Sequence, residues 1–440
     1  MKGCVYMSLF TFKKGLHLPY NKSLTKDKDI EILKPSKTLI FPLSQHIGAP
    51  CTPIVKIGDR VLENEKIADS KEYISSPIHS SVSGFVQDIK EISYKNGLKS
   101  KAIFIENDFK YESSPLEDYK YKDSMNIEDF VSLIRERGIV GLGGATFPSH
   151  VKLNIKNHKE VKYIIINGAE CEPYLTCDYK VMTNYTEEII KALKILSSYF
   201  PKALIYIGIE DNKLDALEKF KIQLKDCDKI FVFPLKTKYP QGSEKHLIYT
   251  LTKIEIPRAK IPLDLGCIVF NISTIYQMYK SLTYGTPLTD RVITVTGDTL
   301  CNPKNLRVKI GTPISDIIDF CGGFIKEPKK IILGGPMMGN AINSLNTPIT
   351  KGTSGIISLS KEVPLKETSC IRCGKCIDSC PMNLIPQRLN ELSTKENLKE
   401  FEALGGMNCL ECGCCAYSCP AKISLVQNIR KAKKSFKNKI

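Results

Sequence analysis

From its start to about residue 110 the chain alternates short apolar runs with Gly and Pro and never sustains a helical period. Thr38-Leu-Ile-Phe-Pro-Leu43 and Cys51-Thr-Pro-Ile-Val-Lys-Ile57 read as strands cut by turns. A polar, acidic, tyrosine-bearing stretch over 107–123 reads as a linker. Asn126 is then placed to cap a helix over 127–137, with Glu128 and Asp129 in its first turn and Gly138 beyond its end. The pattern changes at Val161-Lys-Tyr-Ile-Ile-Ile166, a continuous apolar run of the kind a buried parallel strand requires. Residues 203–208 and 229–233 repeat it, and 184–200 and 211–224 carry helical spacing between the runs. From 291 to about 340 the pattern is strand, turn, strand and a short helix. Thr312-Pro313 opens that helix, Ser315 or Asp316 caps it, and Gly322-Gly323 ends it. The spacer 382–408 holds two more helical stretches, 386–392 and 398–404. The expectation is a multidomain α+β and α/β protein.

Chemistry enters with the cysteines. The chain holds Cys370-Ile-Arg-Cys373-Gly-Lys-Cys376-Ile-Asp-Ser-Cys380-Pro381 and then Cys409-Leu-Glu-Cys412-Gly-Cys-Cys415-Ala-Tyr-Ser-Cys419-Pro420. Each is a C-x2-C-x2-C-x3-C-P run, in which three close thiolates clasp one 4Fe–4S cube and the fourth ligates the other cube. One cluster is therefore expected on Cys370, Cys373, Cys376 and Cys419, the other on Cys409, Cys412, Cys415 and Cys380. Gly374 and Gly413 loosen the backbone where it bends around inorganic sulfide. Zinc would explain one C-x2-C pair joined to another, but not this run twice. Disulfides would need an oxidising compartment, and nothing in the sequence points to export. Cys414 interrupts the second run; it reads as an adjacent free thiol, with competition as a ligand the alternative. The other cysteines among the 17 have no repeated spacing and read as reduced, mostly buried thiols.

Composition narrows the setting. Hydrophobic content of 42% and charged content of 25% are ordinary for a globular chain, and 440 residues leave room for roughly three domains. No window approaches the roughly 18 apolar residues that span a bilayer. The N-terminal Met-Lys-Gly-Cys-Val-Tyr-Met-Ser-Leu-Phe has too short an apolar run for a signal peptide. A cytoplasmic chain that can dock peripherally on a membrane is expected. The net charge of +16 admits nucleic acid, an anionic membrane surface or an acidic protein partner. No nucleic-acid-binding signature accompanies it, so nucleic acid is set aside, and an acidic ferredoxin fits the iron–sulfur runs better. The basic tail 426–440 reads as a solvated, frayed helix end, with a membrane-surface or partner contact as the alternative.

A glycine-rich segment, Gly138-Ile-Val-Gly141-Leu-Gly143-Gly144-Ala-Thr146-Phe-Pro148-Ser-His150-Val-Lys152, follows the first helix. It is not the dinucleotide fingerprint, because no strand precedes it and the third glycine is missing. Its glycines still let backbone N–H groups close on a phosphate or a flat ring; a plain flexible turn is the bland alternative. The strand after it ends in Asn167-Gly-Ala-Glu170-Cys-Glu172-Pro173, so two carboxylates and an amide leave its C-terminal end together. Open α/β sheets bind ligands there.

Two resemblances follow. Val55-Lys-Ile-Gly58-Asp59-Arg-Val61 with Ser76-Pro77-Ile-His79-Ser-Ser-Val-Ser-Gly84-Phe-Val86 resembles the barrel-sandwich fold of biotinyl and lipoyl carrier domains. Lys71 lies near the place of a carrier lysine, but Asp69-Ser-Lys71 lacks the carrier motif and reads as an exposed turn. The second resemblance spans nearly the whole chain. The glycine segment with Lys152, the strand end at Asn167, Tyr239-Pro-Gln-Gly242-Ser-Glu244-Lys245 and Val269-Phe-Asn271-Ile-Ser-Thr274 occur in this order. That set resembles the flavin-bearing, NADH-oxidising subunit of respiratory complex I, and still more the RnfC proteins of Rnf complexes, which are membrane ferredoxin:NAD oxidoreductases.

The resemblance implies a barrel-sandwich hybrid over 1–115, a Rossmann-like FMN/NAD(H)-binding domain over 124–288, and a soluble-ligand-binding β-grasp module over 289–345. An α-helical, ferredoxin-like domain with two 4Fe–4S clusters follows over 360–425. It implies that Gly141, Gly143, Gly144 and Lys152 cradle non-covalent FMN. Asn167, Glu170 and Glu172 would line the flavin and nicotinamide pocket, with Glu172 nearest the chemistry, and Asn271 and Thr274 would close the other side. Against complex I, Leu142 stands in place of Arg, Thr146 of Gly and Ala169 of Asp, which removes one acceptor for flavin or ribose. The implied activity passes electrons between NAD(H), FMN and the clusters at the cytoplasmic face of the cell membrane, with other membrane subunits as partners. A soluble flavin/iron–sulfur reductase, similar to cobalamin reductases, and an electron-relay scaffold without nucleotide are the competing readings.

Overall fold

The alternating apolar positions before residue 110 fold into two small sheets in the structure, a computed structural model that describes residues 9–94, 98–258, 260–361 and 366–437. Cys4 and the rest of residues 1–8, like Lys439 in the tail, lie outside those residues. One sheet runs in the order Thr38–Pro42, Leu98–Asn107, Gly84–Tyr94, Arg60–Val61; the other joins Thr52–Pro53, Lys66–Asp69 and Ile78–His79. Leu39, Phe41, Val61, Ile67, Ile78, Val86 and Ile103 are buried in a core that both sheets share. Gly84 opens its strand so close to its neighbour that a Cβ there would stand 1.9 Å from the Glu106 carbonyl oxygen, which excludes every other residue.

Asn126 caps the next helix, Ile127–Glu136, by accepting the Asp129 N–H at 2.8 Å, as its position implies. The apolar runs become a parallel sheet in the order Ile230–Leu235, Leu204–Glu210, Tyr163–Gly168, Cys267–Asn271. The chain builds outward from the Tyr163 strand on one side, then returns to add Cys267–Asn271 on the other. That reversal opens a crevice beyond Gly168 and Asn271, where a sheet of this kind takes ligands. Two helices, Cys177–Asn184 and Thr186–Tyr199, meet at Tyr185; the second is the one expected over 184–200. The first lacked a legible polar face because most of it is buried, Lys180 included.

A six-stranded sheet follows, ordered Ile30–Ile32, Lys304–Lys309, Asp290–Gly297, Gly355–Leu359, Lys330–Leu333, Asn340–Ile342. It draws strands from outside the 289–345 span. Its helix, Ile314–Phe320, corrects the expected cap: the cap position is Pro313, without a side-chain hydrogen bond, and Ser315 bonds instead to Asp316 at 2.8 Å. Proline's fixed φ supplies the entry geometry that no side chain provides. Gly322 and Gly323 end the helix, both at positive φ.

The last domain is a set of short helices around the cysteine runs, including Pro386–Thr394, Leu398–Ala403 and Leu425–Lys437. The final helix corrects the reading of a frayed tail. Leu425, Val426, Ile429 and Ala432 recur on one side and are buried, Ile429 and Ala432 against Leu389, Leu392 and Phe401. Two of the basic residues, Arg430 and Lys433, pair with Glu411 at 2.8 and 2.7 Å.

An N-terminal strap joins the parts. Phe10 bonds to Pro234, Leu16 to Tyr239 and Lys14 Nζ to the Ile377 carbonyl of the last domain. Further on, the Tyr20 carbonyl accepts the Tyr174 N–H, and Ile30–Ile32 adds in parallel to the edge of the six-stranded sheet. Among the described residues no helix is long and apolar enough to cross a membrane.

Candidate active site and metal centres

The glycine segment is a closed loop. Val140 bridges Pro148, the Gly141 N–H reaches the Phe147 carbonyl at 2.8 Å, and the Thr146 N–H returns to Gly141 at 3.2 Å. Leu142 is tied on both sides: its N–H donates to Thr274 Oγ1 at 2.9 Å and its carbonyl accepts Arg291 Nη2 at 3.1 Å. A Cβ on Gly143 would come within 3.3 Å of the Asn271 side chain, while one on Gly144, at φ +101, would meet nothing within 4 Å. The loop thus presents side-chain-free backbone to open space next to Asn271.

The strand end supplies the opposite wall. Asn167 donates to the Gly242 carbonyl at 2.8 Å and accepts the Ala169 N–H at 3.1 Å, which holds the Tyr239–Gly242 turn against the sheet. Glu170, at φ 48, accepts the Asp178 N–H at 2.6 Å on one oxygen. Its other oxygen makes no hydrogen bond but lies 3.6 Å from Lys22 Nζ, which also bonds to the Glu170 carbonyl at 2.5 Å. Burial raises the Glu170 carboxyl to about 7, against the pull of Lys22. Asp178 passes the contact on, accepting Asn271 Nδ2 at 2.6 Å and the Ser273 hydroxyl. Asn271 also caps the helix Ile272–Tyr284 through the Ser273 N–H at 2.9 Å. Lys152 reaches the same crevice, bonding to the Val269 carbonyl at 2.9 Å and to Glu244 at 3.1 Å.

Glu172 lies differently. Its two oxygens accept the Met337 and Met338 N–H groups, each at 3.0 Å, and burial pushes its carboxyl up to about 7. It clasps the Gly334–Gly339 loop of the six-stranded domain. A Cβ at Gly335 would overlap the carboxylate at 2.2 Å, so that loop is glycine because Glu172 fills the space. The sequence reading had no signal for Lys22, Asp178 or Arg291, each of which arrives from a distant segment.

The cysteines gather in two groups. Cys370, Cys373, Cys376 and Cys419 line one cavity of about 170 Å³, open to solvent at Cys370, Ile371 and Cys373. Cys380, Cys409, Cys412 and Cys415 line a tighter one of about 20 Å³, with Cys414 beside them. Each group takes three cysteines from one run and the fourth from the other. The second cavity abuts the parallel-sheet domain. Tyr239 Oη donates to the Cys412 carbonyl at 2.7 Å, and His246 Nε2 faces the Pro381 carbonyl at 3.0 Å. Met337, held by Glu172, brings its carbonyl within 3.3 Å of where a Gly413 Cβ would stand.

Four family models match in chain order: the RnfC barrel sandwich hybrid domain over 10–110, the Nuo51 FMN-binding domain over 134–280, the SLBB domain over 292–341 and the 4Fe-4S dicluster domain over 369–423. The RnfC protein of the Na(+)-translocating ferredoxin:NAD(+) oxidoreductase complex of Acetobacterium woodii is 43% identical over 96% of this chain and 96% of its own length. The chain belongs to the RnfC family. Its counterpart in the proton-translocating ferredoxin:NAD(+) oxidoreductase complex of Clostridium ljungdahlii is also 43% identical, over 89% of this chain and 86% of its own. The corresponding protein of the ion-translocating oxidoreductase complex of Rhodobacter capsulatus is 41% identical, over 96% and 83%.

As a member of the RnfC family the chain has an FMN-binding domain and a dicluster domain for two 4Fe–4S clusters. The residues present fit both groups. The Gly143–Gly144 backbone and the polar wall of Asn271 and Asn167 suit a phosphate-bearing flat ring. Two cavities, one lined by four thiols and the other by four with Cys414 as a fifth, suit two cubes.

Proposed function

We propose that this RnfC-family chain is the NAD(H)-linked redox subunit of an ion-translocating ferredoxin:NAD oxidoreductase complex. It is peripheral to the cell membrane on the cytoplasmic side, with other membrane subunits and an acidic ferredoxin as electron partners. The observation that carries the reading is the serial placement of the sites. The Cys380–Cys409–Cys412–Cys415 cavity touches the parallel-sheet domain through Tyr239, and the Cys370–Cys373–Cys376–Cys419 cavity opens to solvent. The first set would hold a cluster near the flavin, the second a cluster within reach of a partner.

Bound FMN converts the two-electron hydride chemistry of a nicotinamide into the one-electron traffic of the clusters. The chain's own part is to bind and orient. Gly141, Gly143 and Gly144 would offer N–H groups to FMN, with Lys152 as the cation of the crevice. Asn167, Glu170, Asn271 and Thr274 would form its walls. Glu170 sits where a protonated carboxyl at neutral pH can donate as well as accept. Glu172 holds the Met337 loop against the nearer cysteine run, so its role is to fix the distance between flavin domain and cluster.

Anaerobic purification with assay of iron, sulfide and flavin, followed by NADH-driven reduction of a dye, tests the reading. Two clusters and one flavin per chain, with cluster bleaching on NADH addition, are expected. Clusters that NADH leaves oxidised would make the chain a relay without nucleotide. Failure to sediment with membranes from its own cells would favour a soluble reductase.

A further inference from the structure

The glycine loop belongs to the FMN-binding domain, yet one of its fixed points comes from the next module. Arg291 lies outside both the 134–280 and 292–341 spans matched by the family models. It is the second residue of the strand Asp290–Gly297 and is 3% exposed. Its guanidinium donates through Nη2 to the Leu142 carbonyl and through Nε to the Thr353 carbonyl, both at 3.1 Å. The Thr353 side is itself anchored. Thr350 and Thr353 close a turn at 3.1 Å, and Lys351 within it bonds to the Pro77 carbonyl at 2.5 Å and the Gly138 carbonyl at 2.8 Å. Arg291 is thus braced against the turn that locks three domains together, and it holds the peptide that leads into Gly143.

The acids nearest to it are engaged elsewhere. Asp290 is clasped by Lys280 at 2.7 and 2.9 Å, and Asp178 accepts from Asn271 and Ser273. The guanidinium bonds to the two carbonyls, so it acts as a two-pronged fork and as a charge behind the loop. Gly143 and Gly144 have no side chains to hold their path, so the orientation of their N–H groups depends on the ties at Leu142.

We propose that Arg291 is a positioning residue of the flavin site. It sets the Leu142 peptide so that the Gly143–Gly144 backbone faces FMN, and its charge raises the flavin's midpoint potential. This rests on the reading that the glycine loop holds FMN. The sign follows from charge: the reduced flavin is the more electron-rich form, so a cation behind the loop favours it. Fork and charge are separable, since lysine keeps the charge but cannot bridge two carbonyls in one plane.

The test uses the full cluster-loaded chain as wild type, Arg291→Lys and Arg291→Met, with FMN affinity read by fluorescence quenching and midpoint potential by anaerobic titration. Arg291→Met is expected to bind FMN about ten- to a hundredfold more weakly and to hold it at a more negative potential. Arg291→Lys is expected to lose affinity about three- to tenfold while keeping a potential near wild type. Wild-type affinity and potential in Arg291→Met overturn the proposal. Should Arg291→Met fail to incorporate its clusters, Arg291→Lys decides, and unchanged FMN affinity there overturns it. Gly143→Val separates the two ideas: if that variant binds FMN like wild type, the loop reading falls first.

Discussion

Removing one oxygen atom at Tyr239 isolates the contact between the flavin domain and the nearer cluster. The ring is 2% exposed and packs with Leu18, Cys412 and Cys414, and Phe at this position keeps that burial. Burial pushes the phenol pKa far upward, so the hydroxyl stays a donor at any working pH. Tyr239→Phe therefore deletes the 2.7 Å bond and strands the Cys412 carbonyl. A neutral buried hydrogen bond contributes about 1 kcal/mol net, and a stranded buried carbonyl costs about 1–3 kcal/mol. The second, larger cost governs here, and a loss of about 1–3 kcal/mol makes local separation of the two surfaces roughly 5- to 150-fold more frequent. Hydrogen exchange on the cluster-loaded protein reads this directly: amides of 409–415 should exchange faster by that factor, with those of 163–168 unmoved. A rise below twofold in 409–415, or an equal rise in both segments, refutes the reasoning.

Other outcomes follow from the same geometry. Gly143→Val, which presses a side chain on Asn271, and Lys152→Ala should each lower flavin content at least tenfold and leave iron unchanged; wild-type flavin in either defeats the loop assignment. Cys380→Ala and Cys412→Ala should damage the same cluster and leave survivors with one EPR spectrum and one midpoint potential, since both thiols line one cavity. Cys414→Ala belongs in both backgrounds, because Cys414 also lines that cavity. Glu170 has its carboxyl raised from the usual 4.5 to about 7, so the folded state binds the extra proton in that window and loses stability as pH rises through it. Glu170→Gln should reduce that slope in urea melts between about pH 4.5 and 7, with Glu172, raised to about 7 as well, keeping its share; an unchanged slope would assign it wholly to other groups.

The fold was legible where one physical rule governs. Three parallel strands of the central sheet are apolar on both faces and announced themselves, and Asn126 sits at a helix start that needs its side chain. The gathering of the cysteines around two cavities was legible because the doubled ferredoxin run sends each fourth thiol toward the other run. What escaped was set by distant contacts. The helix Leu425–Lys437 hid its apolar side among lysines, and Ile30–Ile32, three residues long, is a strand only by pairing with the edge of another sheet. Within the site, glycines and strand-end carboxylates stood out by type. Lys22, Asp178 and Arg291 are ordinary residues made special by what the fold lays beside them. Glu172 was visible as a carboxylate at a strand end, but its partners are backbone amides far along the chain that carry no sequence signature.

The N-terminal strap has a bearing on how the molecule comes into being. A ribosome releases Lys14 long before the Ile377 carbonyl that it binds, 363 residues later, and Lys28 waits for Pro303, 275 residues on. The edge strand Ile30–Ile32 lacks its sheet neighbour until residue 309 has emerged. Domains that could round up early during synthesis are therefore left with an unpaired leading segment, and contacts of such long span close slowly. The last domain to emerge, which carries both cysteine runs, is also the one that Lys14 fastens down. Lys14 can therefore take its place only once the cysteine-bearing domain has emerged. A tag or truncation at its beginning would be felt at its end.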